Sequence, residues 1–228
     1  MPSADTKPSK IGSRGEPEKT RAAILKAALE EFAHEGVAGA RTDEIARHAG
    51  VNKALLYYYF KDKEGLYAAV LEQIFAALAA QVAAVLDRRD LGPSQKLLLY
   101  VETHFDFMGE SPLFPRVLQR EFMRVGGDAN ILGSRIVERY GRPIYTKLTR
   151  LIEEGCAVGE FRPCDPPQTV TSIFGVLIYY FVSIPAQQLM SSGDPFSRER
   201  IAARRTAVLD FISAAVFYSP GPHKRKHK

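Results

Sequence analysis

Asn52-Lys53-Ala54-Leu55-Leu56-Tyr57-Tyr58-Tyr59-Phe60-Lys61-Asp62-Lys63 places three consecutive tyrosines on a stretch that predicts a short helix. Successive helical residues turn through about 100°, so the three rings cannot share one face. If Leu56 and Phe60 face a core, the opposite side carries Ala54, Leu55 and Tyr58, with Tyr57 and Tyr59 on the flanks. A small residue and an exposed aromatic, with phenols on both sides and a lysine at each end, form a surface suited to lie in the DNA major groove.

The residues upstream supply the rest of a helix-turn-helix. From Lys19 to Glu35 apolar positions Ile24, Leu25, Ala28, Leu29 and Phe32 recur at helical spacing, and Gly36 stands where a terminator belongs. Thr42 offers an oxygen to cap a second helix whose first turn carries Asp43 and Glu44, acids that suit a positive helix start. Ile45, Ala46 and Ala49 are expected inside, and Gly50 ends the helix. Asn52 then caps the third helix and Asp62 a fourth that begins at Lys63. Two short helices joined by a tight turn, the second exposing polar and aromatic groups, fit the geometry of DNA reading.

Arg21-Ala22-Ala23-Ile24-Leu25-Lys26-Ala27-Ala28, the run Thr42 to Val51 and the run Leu55 to Leu66 together resemble the TetR family of bacterial transcriptional regulators. The resemblance implies a homodimer with a DNA-binding head and a ligand-binding body. It also implies that Thr42, Tyr57, Tyr59 and Lys63 meet phosphates, while Lys53, Ala54 and Tyr58 face base edges, with Asn52 and Leu55 beside them. Tyr59 stands where histidine is frequent in the family and lacks a switchable charge. Leu55 replaces a common hydroxyl residue and is suited to pack on a thymine methyl group.

Four segments are expected: an extension 1–17, a helix-turn-helix domain 18–66, a helical effector-binding and dimerisation domain 67–218, and a basic tail 219–228. The chain carries a net charge of +5. Lys224, Arg225, Lys226 and Lys228 supply most of the excess, and the head from Glu18 to Leu78 has eight basic residues against nine acids. Net charge is therefore no argument for nucleic acid, and binding depends on where individual charges point. Either terminal segment could add salt-sensitive phosphate contacts or act only as a solubilising tail.

Beyond Leu78 the pattern is helix throughout, so an all-α architecture of about nine helices is expected. The fourth helix runs to about Asp87, Pro93 opens a fifth and Ser111-Pro112 a sixth. Gly126-Gly127 separates it from a short segment 129–140, and Pro143 opens the seventh. Asp165-Pro166-Pro167 starts the eighth, which Pro185 bends or ends, and the ninth covers about Ser197 to Phe217.

Along the eighth helix, Ile173, Val176, Tyr180 and Ile184 form one apolar stripe and Phe174, Leu177, Ile178 and Phe181 another. One stripe can meet the body and the other a partner. Phe174, Leu177, Ile178, Phe181, Val208, Ile212 and Val216 are the expected dimer interface, in a four-helix bundle with a second copy. Phe105, Met108, Phe122, Tyr145, Phe174 and Tyr179 are the expected lining of an effector cavity, with His104, Glu102, Arg120 and Glu121 as candidate polar anchors.

No nucleophile elbow, phosphate loop or metal-ligand spacing occurs, so no catalytic residue, metal or cofactor is assigned. Cys156 and Cys164 are the two cysteines, and a cytosolic setting favours reduced thiols, with a redox switch a secondary reading. Ile173 to Val182, taken as the longest apolar run, is too short to span a bilayer, and a cytoplasmic location with no membrane partner is expected. The implied partners are double-stranded operator DNA, a small-molecule effector and a second copy. A helical small-molecule-binding protein or enzyme without sequence-specific DNA binding is the alternative.

Overall fold

The computed structural model describes residues 17–124, 131–190 and 193–218. They form α1 (Pro17–Gly39), α2 (Thr42–His48), α3 (Lys53–Phe60), α4 (Lys63–Leu86), α5 (Pro93–Glu110), α6 (Leu113–Arg124), α7 (Ile131–Ile136), α8 (Arg142–Ala157), α9 (Pro166–Val182), α10 (Ile184–Met190) and α11 (Arg198–Val216). The one departure from helix and loop among them is an isolated bridge between Phe161 and Phe217. The fold is all-α. Both terminal segments, the pair Gly126-Gly127 and the side chain of Phe122 lie outside what is described.

Two compact units divide the chain after Ile74. The boundary lies eight residues beyond the expected 66/67 division, because the first turns of α4 belong to the core of the first unit. Leu66, Tyr67, Val70 and Leu71 are buried, and the Tyr67 ring meets Phe32 edge-on at 4.9 Å. α4 is 24 residues long and apolar enough to cross a bilayer by length and composition. It thus exceeds the run 173–182 named above as the longest. Its buried residues, including Leu78, Val82 and Val85, are spent on protein packing.

In the second unit α5 packs on α8, α9 and α11, and α6 on α9. Tyr100, Phe105, Met108, Phe114, Leu148, Ile152, Leu177 and Phe181 fill the centre. Arg205 on α11 grips Asp106 on α5 through Nε (2.8 Å) and Nη2 (3.0 Å).

Segment 131–157 is continuous where two pieces were expected: α7 and α8 are joined by a π-helical turn, Val137–Gly141, and the Arg142 N–H donates to Val137 O. Pro143 has no N–H and its ring crowds the carbonyl four residues back, so a widened turn replaces a break. Beyond α9 the chain bends by 65° into α10, which places the bend at Ser183, ahead of Pro185. The short helices α7 and α10 bring the helices among the described residues to eleven, against an expected nine.

Candidate nucleic-acid interface

Leu56 and Phe60 are buried in the first unit, so α3 turns its other side outward. Tyr58 is 79% exposed, and Ala54, one turn before it, is exposed as well. Tyr57 is exposed, while Leu55 and Tyr59 are half-buried on the flanks. Tyr58 and Tyr59 meet edge to face at 5.4 Å, which limits the swing of the exposed ring.

The ends of α3 are defined by side chains. Asn52 Oδ1 accepts from the Leu55 N–H at 2.7 Å, so Asn52 is occupied as a helix cap. At the other end Lys61 adopts φ 64°, and the Asp62 N–H reaches back to Phe60 O at 2.7 Å. That i to i+2 bond makes a γ-turn, costly for a residue with a side chain. Asp62 Oδ1 then caps α4 by accepting from the Gly65 N–H at 2.6 Å. A Cβ at Gly65 would stand 2.4 Å from Phe60 O, so only glycine permits this joint.

Thr42 is not a cap. Arg41 holds that position without a side-chain bond, and Thr42 is the first residue of α2. Its Oγ1 lies instead 3.3 Å from the Tyr57 hydroxyl, which brings two neutral hydrogen-bonding groups to one point. The extended backbone that a cap requires (φ −111°, ψ 116°) is at Arg41, one residue before Thr42, and a guanidinium has no acceptor to offer the exposed amides.

The charges are largely internally engaged. Lys53 Nζ binds Asp43 across the α2–α3 turn at 2.9 Å, and this hydrogen bond raises the pKa of the ammonium above its usual value. Lys63 Nζ donates to Ala38 O and Ala40 O, both at 3.3 Å, which satisfies the frayed carbonyls after the Gly36 kink. An ammonium has three donors, so Lys63 keeps one for an outside acceptor. Arg47 is paired with Glu44 at 2.7 Å. Neither the Lys53–Asp43 latch nor the Thr42–Tyr57 pair carries a sequence signal, because both join residues ten or more apart.

This geometry is that of a helix-turn-helix head. Residues 24–70 match the family described as bacterial regulatory proteins, tetR family, and residues 93–212 match the tetracyclin repressor-like C-terminal domain. The chain belongs to the TetR family. It is 35% identical to the HTH-type transcriptional repressor NicS of Pseudomonas putida over 146 residues, covering 64% of this chain and 67% of that protein. It is 30% identical over 158 residues to the HTH-type transcriptional regulator RutR of Escherichia coli, covering 69% and 72% respectively. The ketosteroid transcriptional regulator KstR2 of Mycobacterium tuberculosis has the same fold, with a TM-score of 0.70 over 87% of this chain and 95% of that one at 20% identity. As a TetR-family member the protein is a ligand-responsive, DNA-binding transcriptional regulator.

The two other expected sites need correction. Leu177, Phe181, Val208, Ile212 and Val216 are buried within the single protomer and so cannot form a partner surface. Phe174 and Ile178 are half-buried, and the Phe174 ring faces His104 at 6.2 Å. The inward line of α9 is Val170, Ile173, Leu177 and Phe181, which runs between the two stripes drawn from sequence. Left outward are Ser172, Gly175 and Tyr179 on α9 and Ala203, Ala207, Phe211 and Ala214 on α11. Tyr179 is 66% and Phe211 60% exposed. The sequence already points to the small residues Ala203, Ala207 and Ala214 as a close-packing surface of α11, and the structure adds Gly175, Tyr179 and Phe211 to that face.

Tyr179 is therefore no cavity residue. Phe105 and Met108 are fully buried, the Phe105 ring packing against Phe181 at 5.0 Å. Tyr145 is half-buried, with its hydroxyl directed at Pro167 O at 3.5 Å. A groove of about 230 Å³ lies between α9 and α11, lined by Ser172, Ile173, Val176, Phe211, Ile212 and Ala215 and by none of the residues expected to hold an effector. Among the anchors, His104 is buried with Nδ1 2.9 Å from the Tyr100 hydroxyl. Burial lowers its pKa to about 4, so the ring is neutral. Glu102 and Asp106 instead hold Arg205.

Proposed function

We propose that this regulator is a repressor that binds a quasi-palindromic operator as a homodimer. Tyr58 and Ala54 read bases from the outer face of α3, beside Leu55 and Lys53, while Thr42, Tyr57, Tyr59 and Lys63 hold phosphates. The observation that carries this assignment is Tyr58: an aromatic ring 79% exposed in the middle of a helix whose other face is core. Repression, the name given to NicS, follows if the operator overlaps the promoter. Such a protein works in the cytoplasm, where its DNA is, and needs no catalytic chemistry.

The second copy covers the small-residue face of α9 and α11. Gly175 has open space where a Cβ would be, which lets another helix approach closely, and the exposed Phe211 offers an aromatic anchor beside it. Two heads about 34 Å apart then meet successive major grooves.

The effector is small and largely apolar or aromatic. The second unit supports this by its chemistry, since the buried neutral pair Tyr100 and His104 sits among Phe105, Met108 and Phe174. α4 contributes to both units and is the covalent route from effector to operator. Coupling along it is reciprocal, so operator DNA weakens effector binding by the same factor.

The deciding experiment is a mobility-shift assay with the promoter beside the protein's own gene. Specific retardation that is lost in Tyr58→Ala supports the proposal. Retardation that is uniform across sequences, abolished by modest salt and unchanged in that variant would refute it.

A further inference from the structure

Between α8 and α9 the chain makes a short, tightly specified turn. The Gly159 N–H donates to Cys156 O at 3.2 Å and the Phe161 N–H to Gly155 O at 3.0 Å. Gly159 is left-handed at φ 77°, as a helix-ending residue in this role requires. Phe161 is buried against Gly155, where a Cβ would come within 2.0 Å of its ring, and stacks on Phe217 at 5.5 Å. Asp165 begins α9 by capping Gln168 at 3.0 Å. This framework leaves residues 156 and 164 facing each other, with Sγ atoms 3.7 Å apart.

We propose that Cys156 and Cys164 are a redox-modification site that closes to an intramolecular disulfide on exposure to a hydroperoxide. The bonded S–S distance is about 2.05 Å, so closure takes less than 2 Å of sulfur movement, within reach of side-chain rotation at the exposed Cys164. The two sulfurs have distinct roles. Cys164 is exposed and meets the oxidant first. Cys156 is partly buried, its S–H donating to Arg162 O at 3.3 Å, and it resolves the intermediate. Burial raises its pKa, which disfavours direct attack on peroxide by that sulfur.

The chemistry balances in two steps. The Cys164 thiolate attacks hydrogen peroxide: an S–O bond forms, the O–O bond breaks, and the departing hydroxide takes up the thiol proton as water. The Cys156 sulfur then attacks the sulfenic acid; the S–S bond forms, the S–O bond breaks, and a second water leaves. Two thiols have given up two electrons and two protons to one peroxide. The turn that carries them is bonded to the end of α11 through Arg162 N–H to Val216 O (3.0 Å), Arg162 Nη2 to Ala214 O (3.1 Å) and Tyr218 N–H to Glu160 O (3.0 Å). The crosslink therefore forms next to the exposed α11 face.

The test uses the full chain, reduced, then exposed to hydrogen peroxide, quenched with catalase and alkylated with N-ethylmaleimide before intact-mass measurement. The expected product is a monomeric chain lighter by two hydrogens, free of maleimide and restored by dithiothreitol. In Cys156→Ser the sulfenic acid at Cys164 persists and is trapped by dimedone; in Cys164→Ser oxidation slows at least about tenfold. Wild-type thiols that still accept maleimide after peroxide, or that link separate chains, overturn the proposal. The wild-type result needs no variant to fold and no operator to bind.

Discussion

The Thr42 hydroxyl stands 3.3 Å from the Tyr57 hydroxyl, so the start of α2 and the flank of α3 share one polar point. Two neutral groups there suit a single phosphate oxygen, which reads backbone position and no sequence. Tyr57→Phe should weaken operator and unrelated DNA alike by about 3–10-fold, the worth of a modest hydrogen bond. Tyr58→Ala should instead lose about 5–150-fold on the operator alone. Fluorescence anisotropy with both duplexes separates the two; equal losses on both for Tyr58→Ala would remove it from base reading.

Asp43 holds Lys53 at 2.9 Å and competes with DNA for that ammonium. Asp43→Asn should free it for a base edge and so raise affinity for the operator more than for an unrelated duplex, by about 5-fold or more. Equal changes on both duplexes in anisotropy titrations would mean that Lys53 reads no base edge.

Exposed and buried residues of α9 should behave oppositely. Leu177→Ala opens a cavity within the protomer and should cost about 2–5 kcal/mol of stability in denaturant unfolding. Gly175→Leu fills open space and leaves the protomer folded, but should dissociate the dimer, which light scattering reports as a halved mass. A dimeric Gly175→Leu protein would place the interface elsewhere.

His104 is neutral in the folded protein, with its pKa held near 4 by burial against an ordinary value of 6.5. Between those values the unfolded chain binds a proton that the folded chain refuses. Stability is thus fully present above about pH 6.5 and declines as pH falls toward 4, by on the order of 3 kcal/mol. Thermal unfolding across this range should show the decline, and His104→Phe should flatten it.

Gly155→Ala would bring a methyl group within 2.0 Å of the Phe161 ring. Overpacking of a buried turn typically costs about 1–3 kcal/mol, so the melting midpoint should fall by several degrees. An unchanged midpoint would mean that the α8–α9 turn relaxes freely, and would leave the facing of the two thiols unsupported by its packing.

Sequence alone determined the head, because its signals are local. A cap at Asn52, another at Asp62, a glycine after α2 and the period that buries Leu56 and Phe60 all lie within a turn or two of what they control, while Gly36, expected to end the first helix, only kinks it. Those same constraints force Tyr58 outward. Only the tertiary structure decided which side of α9 faces the protomer, which partners Lys53 and Lys63 hold, and that Thr42 bonds Tyr57 in place of capping α2. An apolar helix such as α9 offers several stripes of similar hydrophobicity, and the choice among them is made by packing against α5, α8 and α11, residues far away in the chain.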